Sequence, residues 1–445
     1  MEKLSDDLLV EIYSHLPYKI AVRCKSISKR FLNLISNTIF IERSILHHHT
    51  LLLHMNDEER EKEWRLCSLS RRKKLVLFIP NIVHDDLSLN PQNHFSLSFL
   101  GPKFNSKRDE LPPRLGKHYN KYSKIVGFSN GLLLCKKSPH ERLYFVCNPL
   151  TKKSLKAVPI APPRRGQNRR KKNLGHTLEG FLCESYYNIE ENTNRVSVTV
   201  QSLRFRIIRI FFFKGTTCEF LRGITKSKFE VVVFSSETGK WTTKLVSCTN
   251  GSSFTQPTII SDTLAHEGKL YFIGNDNILV YDPFRNENEC NIIEFPSGSD
   301  RRNICYTGRI GVSCGTIRLS SFSSLSSSLV KVWELKNDHQ ENNNNDNGWC
   351  LLHEVCVPQQ DESSVRDELR GRDGAYEVGY GVFRVRGFHP YHGDVVLFQF
   401  NHRIFYGNLK TKEFHTIGYG TQLYHYLQLI CLDLPLWPTP LPSIQ

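Results

Sequence analysis

Between residues 278 and 295 the chain reads Ile278-Leu279-Val280-Tyr281, then Asp282-Pro283-Phe284-Arg285-Asn286, then Asn291-Ile292-Ile293-Glu294-Phe295. A four-residue apolar run has strand length, Asp-Pro followed by Asn is turn chemistry, and the second apolar run returns. The same order recurs along the chain. Leu143-Tyr144-Phe145-Val146-Cys147 leads through Asn148-Pro149-Leu150-Thr151-Lys152-Lys153 into Ser154-Leu155-Lys156-Ala157-Val158. Phe229–Phe234 leads through Ser235–Trp241 into Thr242-Thr243-Lys244-Leu245-Val246, and Ile404-Phe405-Tyr406 leads into Gly407–Glu413. A second piece precedes the unit, in Ser129-Asn130-Gly131-Leu132-Leu133-Leu134-Cys135 and His266-Glu267-Gly268-Lys269-Leu270-Tyr271-Phe272. Together these make about four strands per unit at intervals of roughly 40–50 residues or multiples, the pattern of propeller blades. The sequence therefore predicts an all-β propeller-like domain over residues 70–430, with 431–445 as a tail. Ser320–Ser328 and Asn342–Asn347 are low-complexity loops that leave the blade number open.

Composition agrees. A chain of 445 residues is about three times the usual ~150-residue domain, which favours a repeat or several domains. Its 27 Phe and 17 Tyr against 2 Met lean toward strands, where rings pack well on a pleated surface. With 39% apolar and 23% charged residues the chain can bury a large core, which excludes wholesale disorder. No run reaches the ~18 apolar residues of a membrane span; the densest, Ile207–Phe213, has strand length and carries Arg209. Met1–Asp7 has no basic stretch followed by an apolar one, so no signal peptide is expected. The 13 cysteines are odd in number, scattered and without a CxxC pair, which removes zinc ribbons and thioredoxin-type sites. Cysteine used as a small core residue in a reducing compartment fits this usage, and Asn250-Gly251-Ser252 then reads as a turn rather than a glycan site. The expectation is a soluble intracellular protein, cytoplasmic and/or nuclear, with no membrane partner.

The net charge of +15 is uneven: residues 1–180 hold 33 Lys+Arg against 16 Asp+Glu, and the remainder 26 against 28. The excess peaks at Arg71-Arg72-Lys73-Lys74 and over 164–172, including Arg169, Arg170, Lys171 and Lys172. The second cluster has no aromatic residue and follows Ala161-Pro162-Pro163, so it reads as a solvated loop. Nuclear targeting or an acidic partner is the functional alternative. A nucleic-acid partner is disfavoured, since no basic helix or aromatic–basic strand pattern accompanies the charge.

The first forty residues are different in kind. Ser5 caps a predicted helix with Asp6 and Asp7 in its first turn, where negative charge meets the positive end of the helix dipole. Leu8, Ile12 and Leu16 follow at helical spacing, Leu9 and Tyr13 lie on an adjoining stripe, and Pro17 ends the helix. A second stretch places Ile20, Cys24 and Ile27 on one side, and Ser28 caps a third carrying Phe31, Leu34 and Ile35. Three short helices bury too little apolar surface to stand alone, so this module needs a partner surface within the chain or on another protein.

The run Leu4-Ser5-Asp6-Asp7-Leu8-Leu9-Val10-Glu11-Ile12, with Leu16-Pro17, Val22–Phe31, Leu34-Ile35-Ser36 and Phe40, resembles an F-box. The resemblance covers residues 1–45. It implies docking on the Skp-family adaptor, and through it a cullin–RING ubiquitin ligase, by Leu4, Leu8, Ile12, Leu16, Pro17, Val22, Cys24, Ile27 and Phe31. Two positions depart from the family pattern, which usually has proline where Ser5 stands and often tryptophan where Phe31 stands. Residues 46–69, with His47-His48-His49, are expected to form a linker or further helix. Consecutive histidines diverge on either a helix or a strand, so they are not expected to converge on a metal.

The later repeats resemble the F-box-associated region of plant F-box proteins, a kelch-like propeller. The matching phrases are Ser129–Cys135, Cys147-Asn148-Pro149, Val233–Ser236, Tyr281-Asp282-Pro283-Phe284, Val332-Trp333-Glu334-Leu335-Lys336 and Gly387-Phe388-His389-Pro390. The resemblance implies a non-catalytic substrate receptor with no cofactor, whose propeller binds a protein target. Gly127-Phe128-Ser129-Asn130-Gly131 matches a nucleophile elbow in letters only, because a strand rather than a helix follows the serine. No P-loop, dinucleotide fingerprint or His-Glu-x-x-His motif occurs. His389 reads as a structural turn residue. The competing reading is a propeller enzyme or sugar-binding protein whose N-terminal helices merely pack on it.

Overall fold

The computed structural model describes residues 4–16, 18–53, 77–78, 94–95, 124–136, 143–149, 151, 153–155, 158–159, 174–192, 195–213, 225–255, 257, 263–297, 299, 304, 308–323, 329–336, 348–357, 383–389, 392–400, 403–419 and 438–442. A small all-α N-terminal module is followed by an all-β propeller-like domain.

Four helices open the chain: α1 (Asp6–Ser14), α2 (Tyr18–Cys24), α3 (Lys29–Ser36) and α4 (Thr38–Leu53). Ser5 and Ser28 cap α1 and α3 as read from the sequence, accepting from the Leu8 and Phe31 amides at 3.4 and 3.3 Å. The continuous helix α4 runs through residue 45, across the boundary that the sequence reading drew between the module and a linker or further helix.

The β-domain is built from antiparallel meanders, counted here among the described residues. The first blade comprises Lys124–Ser129, Leu132–Lys136 and Leu143–Asn148, the last of these pairing with both Lys153–Ser154 and Val158–Pro159. The second comprises Leu174–Cys183, Phe205–Phe213, Lys228–Ser235 and Lys240–Cys248, and the third Thr263–His266, Lys269–Ile273, Asn277–Tyr281 and Glu289–Glu294. The fourth comprises Arg309–Ser313, Thr316–Ser323, Leu329–Leu335 and Trp349–Cys356, and the fifth Phe383–Phe388, Val395–Phe400, Arg403–Asn408 and Glu413–Tyr419.

Three blades begin with the same hairpin. Asn130-Gly131, Glu267-Gly268 and Cys314-Gly315 each join the first strand to the second with both residues at positive φ (46° and 80°, 46° and 74°, 52° and 79°). This is the two-residue turn whose twist matches that of the flanking strands. The residue before each turn reaches the next blade. Ser129 Oγ accepts from the Cys183 amide at 3.0 Å, the His266 ring meets the Gly315 backbone, and Ser313 Oγ donates to the His389 carbonyl at 2.6 Å. The elbow-like serine at 129 is thus an inter-blade fastener. His389 is a turn residue as read: its Nδ1 accepts from the His392 amide, and burial, with His392 nearby, holds its pKa down at about 3.

The apolar clusters lie between blades. Phe181, Phe205 and Ile207 of the second blade pack with Val126, Leu132, Tyr144 and Val146 of the first. Ile273 and Ile278 of the third pack with Leu319, Trp333 and Trp349 of the fourth, and Val330 and Val332 of the fourth with Val385, Val396 and Phe398 of the fifth. The sequence reading left residues 431–445 as a tail; of the described residues there, Thr439 and Leu441 contact the first blade. Thr439 Oγ1 donates to the Asn130 carbonyl at 2.6 Å, Asn148 Nδ2 donates to the Thr439 carbonyl, and Leu441 joins the cluster between the first two blades.

One carboxylate is buried at that same junction. Glu179 accepts from Lys136 Nζ at 2.6 Å, from the Tyr144 hydroxyl at 2.6 Å and from Arg209 Nε at 3.3 Å. Burial alone would raise its pKa, but the Lys136 ammonium, the Tyr144 hydroxyl and the Arg209 guanidinium together bring it below the ordinary glutamate value. A carboxylate depressed on folding stabilises the native state above its unfolded pKa of ~4.3, and that contribution is lost as pH falls through the lower native value. Glu179→Gln removes the buried carboxylate that Lys136 and Arg209 share, which should cost about 3–5 kcal/mol at pH 7. Urea unfolding of both proteins across pH should show that difference narrowing below about pH 4, as the native carboxylate protonates.

Candidate docking face

The helical module is held on the propeller by an insertion. Between the first two strands of the second blade the chain leaves the meander and forms a separate hairpin, Tyr187–Asn192 paired with Arg195–Val200. Tyr186, Tyr187, Ile189, Val198 and Val200 pack against the module core of Leu9, Val10, Ala21, Phe31, Leu34, Ile35, Phe40, Ile41 and Ile45. The Val200 amide donates to Glu42 Oε1 at 3.1 Å, and His49 Nε2 lies 3.3 Å from Glu191 Oε1. The neighbouring histidines also have structural partners: His48 Nε2 donates to the Leu16 carbonyl at 3.1 Å, and the His47 ring lies tilted against His15 with centroids 3.8 Å apart.

The same module also carries large side chains that stay in solvent. The large apolar side chains exposed there are Leu4, Leu8, Ile12, Ile20, Val22, Ile27, Leu32 and Ile39; elsewhere among the described residues only Leu245, Leu351 and Leu352 are comparably exposed. Leu8 and Ile12, one helical turn apart on α1, are each 53% accessible, and Ile27 is 57% accessible. Arg30 gathers this face. Its guanidinium donates to the Asp6 carboxylate at 2.8 Å and to the Leu4 carbonyl at 2.6 Å, which ties the start of α1 to the start of α3, next to the loop carrying Ile27.

The nine residues read from the sequence as docking positions therefore divide. Leu4, Leu8, Ile12, Val22 and Ile27 lie in solvent. Leu16 and Cys24 are half-buried against the module core, and Phe31 is buried in it with its ring 5.0 Å from Tyr13. Pro17, like Arg169, Arg170, Lys171 and Lys172, lies outside the described residues. Three exposed positions, Ile20, Leu32 and Ile39, were not among those nine, and the hairpin 187–200 was passed over. The hairpin was legible in the alternation Arg195-Val196-Ser197-Val198-Thr199-Val200, while Leu32 and Ile39 carried no signal because each sits among core residues.

The chain is thus a capped helical module with exposed apolar side chains, carried on a propeller-like β-domain. A family model for the F-box domain matches residues 1–43, and one described as "F-box protein At3g26010-like, beta-propeller" matches residues 110–425. The chain belongs to that family of F-box β-propeller proteins. It is similar to F-box protein At5g07610 of Arabidopsis thaliana, 24% identical over 79% of this chain and 70% of that one. It is also similar to F-box protein At3g26010 of the same plant, 23% identical over 93% and 79%. Among solved structures, Hsv2 of Kluyveromyces lactis overlaps 64% of this chain and 74% of its own at 10% identity, with a TM-score of 0.27. The WD40 domain of SCAP from fission yeast overlaps 64% and 71% at 10% identity, with a TM-score of 0.25.

The division between core and face has a direct test. Phe31→Ala should cost the module about 3–5 kcal/mol, the usual range for an aromatic residue removed from a core. Leu8→Ala and Ile12→Ala should each change its stability by no more than about 0.5 kcal/mol. Hydrogen exchange of the α1–α3 amides in the full-length chain measures all three.

Proposed function

We propose that this protein is the substrate-recognition subunit of a Skp–cullin–F-box ubiquitin ligase. The exposed face of the module docks on the Skp-family adaptor, and the propeller binds a protein destined for ubiquitination and degradation. The observation that carries the reading is the concentration of exposed large apolar side chains in the first 39 residues. Large apolar side chains left in solvent at this density are the raw material of an interaction site. Leu4, Leu8, Ile12, Val22 and Ile27 would supply the contacts, with Leu16, Cys24 and Phe31 shaping the face from beneath.

Such a subunit acts by effective concentration rather than by chemistry of its own: it holds the lysines of a target near the conjugating enzyme carried by the ligase. The hairpin 187–200 suits this role, because it gives the docking face a fixed orientation relative to the propeller. Two polar groups buried at the first blade junction are committed to structural contacts, which supports a receptor. The Ser129 hydroxyl is engaged with both backbone groups of Cys183. The Glu179 carboxylate is held below its ordinary pKa, whereas a general base at neutral pH needs its pKa raised.

Capture of a purified Skp-family adaptor by the full-length chain tests the reading. Leu8→Ala and Ile27→Ala should each weaken capture by roughly 10–30-fold, the effect of losing an interface anchor worth about 2 kcal/mol. Leu8→Asp with Ile12→Asp should abolish capture while the β-sheet circular dichroism stays unchanged. Undiminished capture by that double variant overturns the assignment and leaves the competing reading, a ligand-binding propeller with packed helices.

A further inference from the structure

The second and third blades meet in a way that no other described pair of blades does. The last strand of the second, Lys240–Cys248, runs parallel to the last strand of the third, Glu289–Glu294, and the two form one ladder. The ladder is only two pairs long, Ser247 with Glu289 and Cys248 with Cys290, so two cysteines face each other across the join. Their Sγ atoms are 3.6 Å apart, and the Cys290 thiol donates toward Cys248.

The backbone at this place suits a covalent link. Paired residues on neighbouring strands lie about 4.8 Å apart, inside the ~4.4–6.8 Å Cα range of a disulfide. The other close thiol pair provides the contrast. Cys135 and Cys147 have sulfurs 3.9 Å apart, but Cys135 pairs with Phe145 and Cys147 with Leu133, so the two cysteines are diagonal neighbours. Diagonal positions on adjacent strands are about 7–8 Å apart, at or beyond the ~7 Å limit for bridging without backbone movement. Similar sulfur separations thus have different outcomes.

We propose that Cys248 and Cys290 are a peroxide-oxidised thiol pair that closes a disulfide across the seam between the second and third blades. Cys248 is the residue attacked first. It ends its strand where the chain turns at Thr249–Gly251, and at 9% accessibility it is the most open of the buried cysteines. The hydrogen bond from Cys290, with help from the Phe254 backbone and against the effect of burial, lowers its pKa. The same bond, with burial, raises that of Cys290. The thiolate of Cys248 attacks hydrogen peroxide, breaking the O–O bond to give a sulfenic acid and hydroxide. That step removes the negative charge that held the Cys290 proton. Cys290 sulfur then attacks the sulfenic sulfur, the S–S bond forms, and the departing hydroxide leaves as water with the thiol proton. Overall two thiols lose two electrons and two protons, and one peroxide becomes two waters.

The test uses the reduced full-length chain exposed to hydrogen peroxide. Remaining thiols are then alkylated under denaturing conditions, and the digest is mapped by mass spectrometry without reduction. The expected product is a pair of peptides joined through Cys248 and Cys290, two hydrogens lighter than their sum and separated again by dithiothreitol. The oxidised chain should melt at a higher temperature than the reduced one, and Cys290→Ser should lose both the linked peptide and the shift. The exposed Cys314 and Cys356 are internal references. If they are oxidised while Cys248 and Cys290 both remain alkylatable, or if Cys248 goes on to sulfinic acid beside a free Cys290, the proposal is overturned. The wild-type peptide map decides by itself should the variant fail to fold.

Discussion

No blade of this propeller can cover its own faces. A four-stranded antiparallel sheet has an apolar surface on each side, and stability comes only when a neighbour covers it. The clusters follow that constraint, each drawing its large residues from two consecutive blades. Where a side chain of one blade presses on the strand backbone of the next, there is no room for a Cβ. A Cβ at Gly180 would lie 2.9 Å from Leu270 of the third blade, and one at Gly311 would lie 2.8 Å from Phe388 of the fifth. Polar groups obey the same rule. Ser129, Asn130 and Ser313 satisfy strand ends on the following blade, and buried Arg318 of the fourth donates to the Gly393 carbonyl of the fifth.

Charges at the seams are arranged by depth. Glu179 sits low in the first junction with its oxygens occupied. Toward the surface of the second blade, Arg204 and Arg206 share Glu237, Arg204 also pairs with Glu184, and both guanidiniums lie over the Phe284 ring of the third blade at 5.4 and 4.7 Å. Arg204 and Glu237 are too exposed for these pairs to add much stability. Their value is geometric, because planar guanidiniums between carboxylates and a ring admit few relative positions of the two blades.

The strand–turn–strand text was legible because each hairpin is a local matter of apolar alternation and turn chemistry. Lys228–Ser235 and Lys240–Cys248 bracket Glu237-Thr238-Gly239 within a residue or two of the reading, and the caps at Ser5 and Ser28 fall where the hydroxyls predicted. What the sequence hid is non-local. Helix α1 carries two apolar stripes, Leu8–Ile12 and Leu9–Tyr13, and periodicity cannot say which one meets a neighbour within the chain. The structure gives Leu9 to the core and leaves Leu8 outside because α4 and the hairpin 187–200 lie on the Leu9 side. The pairing of Cys248 with Cys290 was hidden for the same reason, since it depends on two blades aligning their last strands. Thr439 could not be connected by pattern to Asn130 and Asn148, 309 and 291 residues earlier.

That placement of the two stripes bears on why a docking module of this size is stable before it meets a partner. Three short helices cannot bury enough surface to hold themselves, and a face reserved for another protein adds nothing to the fold until it is covered. The chain separates the two tasks. Phe40, Ile41 and Ile45 on α4 and the tyrosines and β-branched residues of the hairpin complete a core around Leu9, Phe31 and Ile35. The module is therefore stabilised from within the same polypeptide, and Leu8, Ile12 and Ile27 are released from any structural duty. Residues so released are replaceable without loss of the fold, which makes their apolar character a property of the surface they present rather than of the core beneath. An intramolecular partner on one side is the condition for offering an intermolecular one on the other.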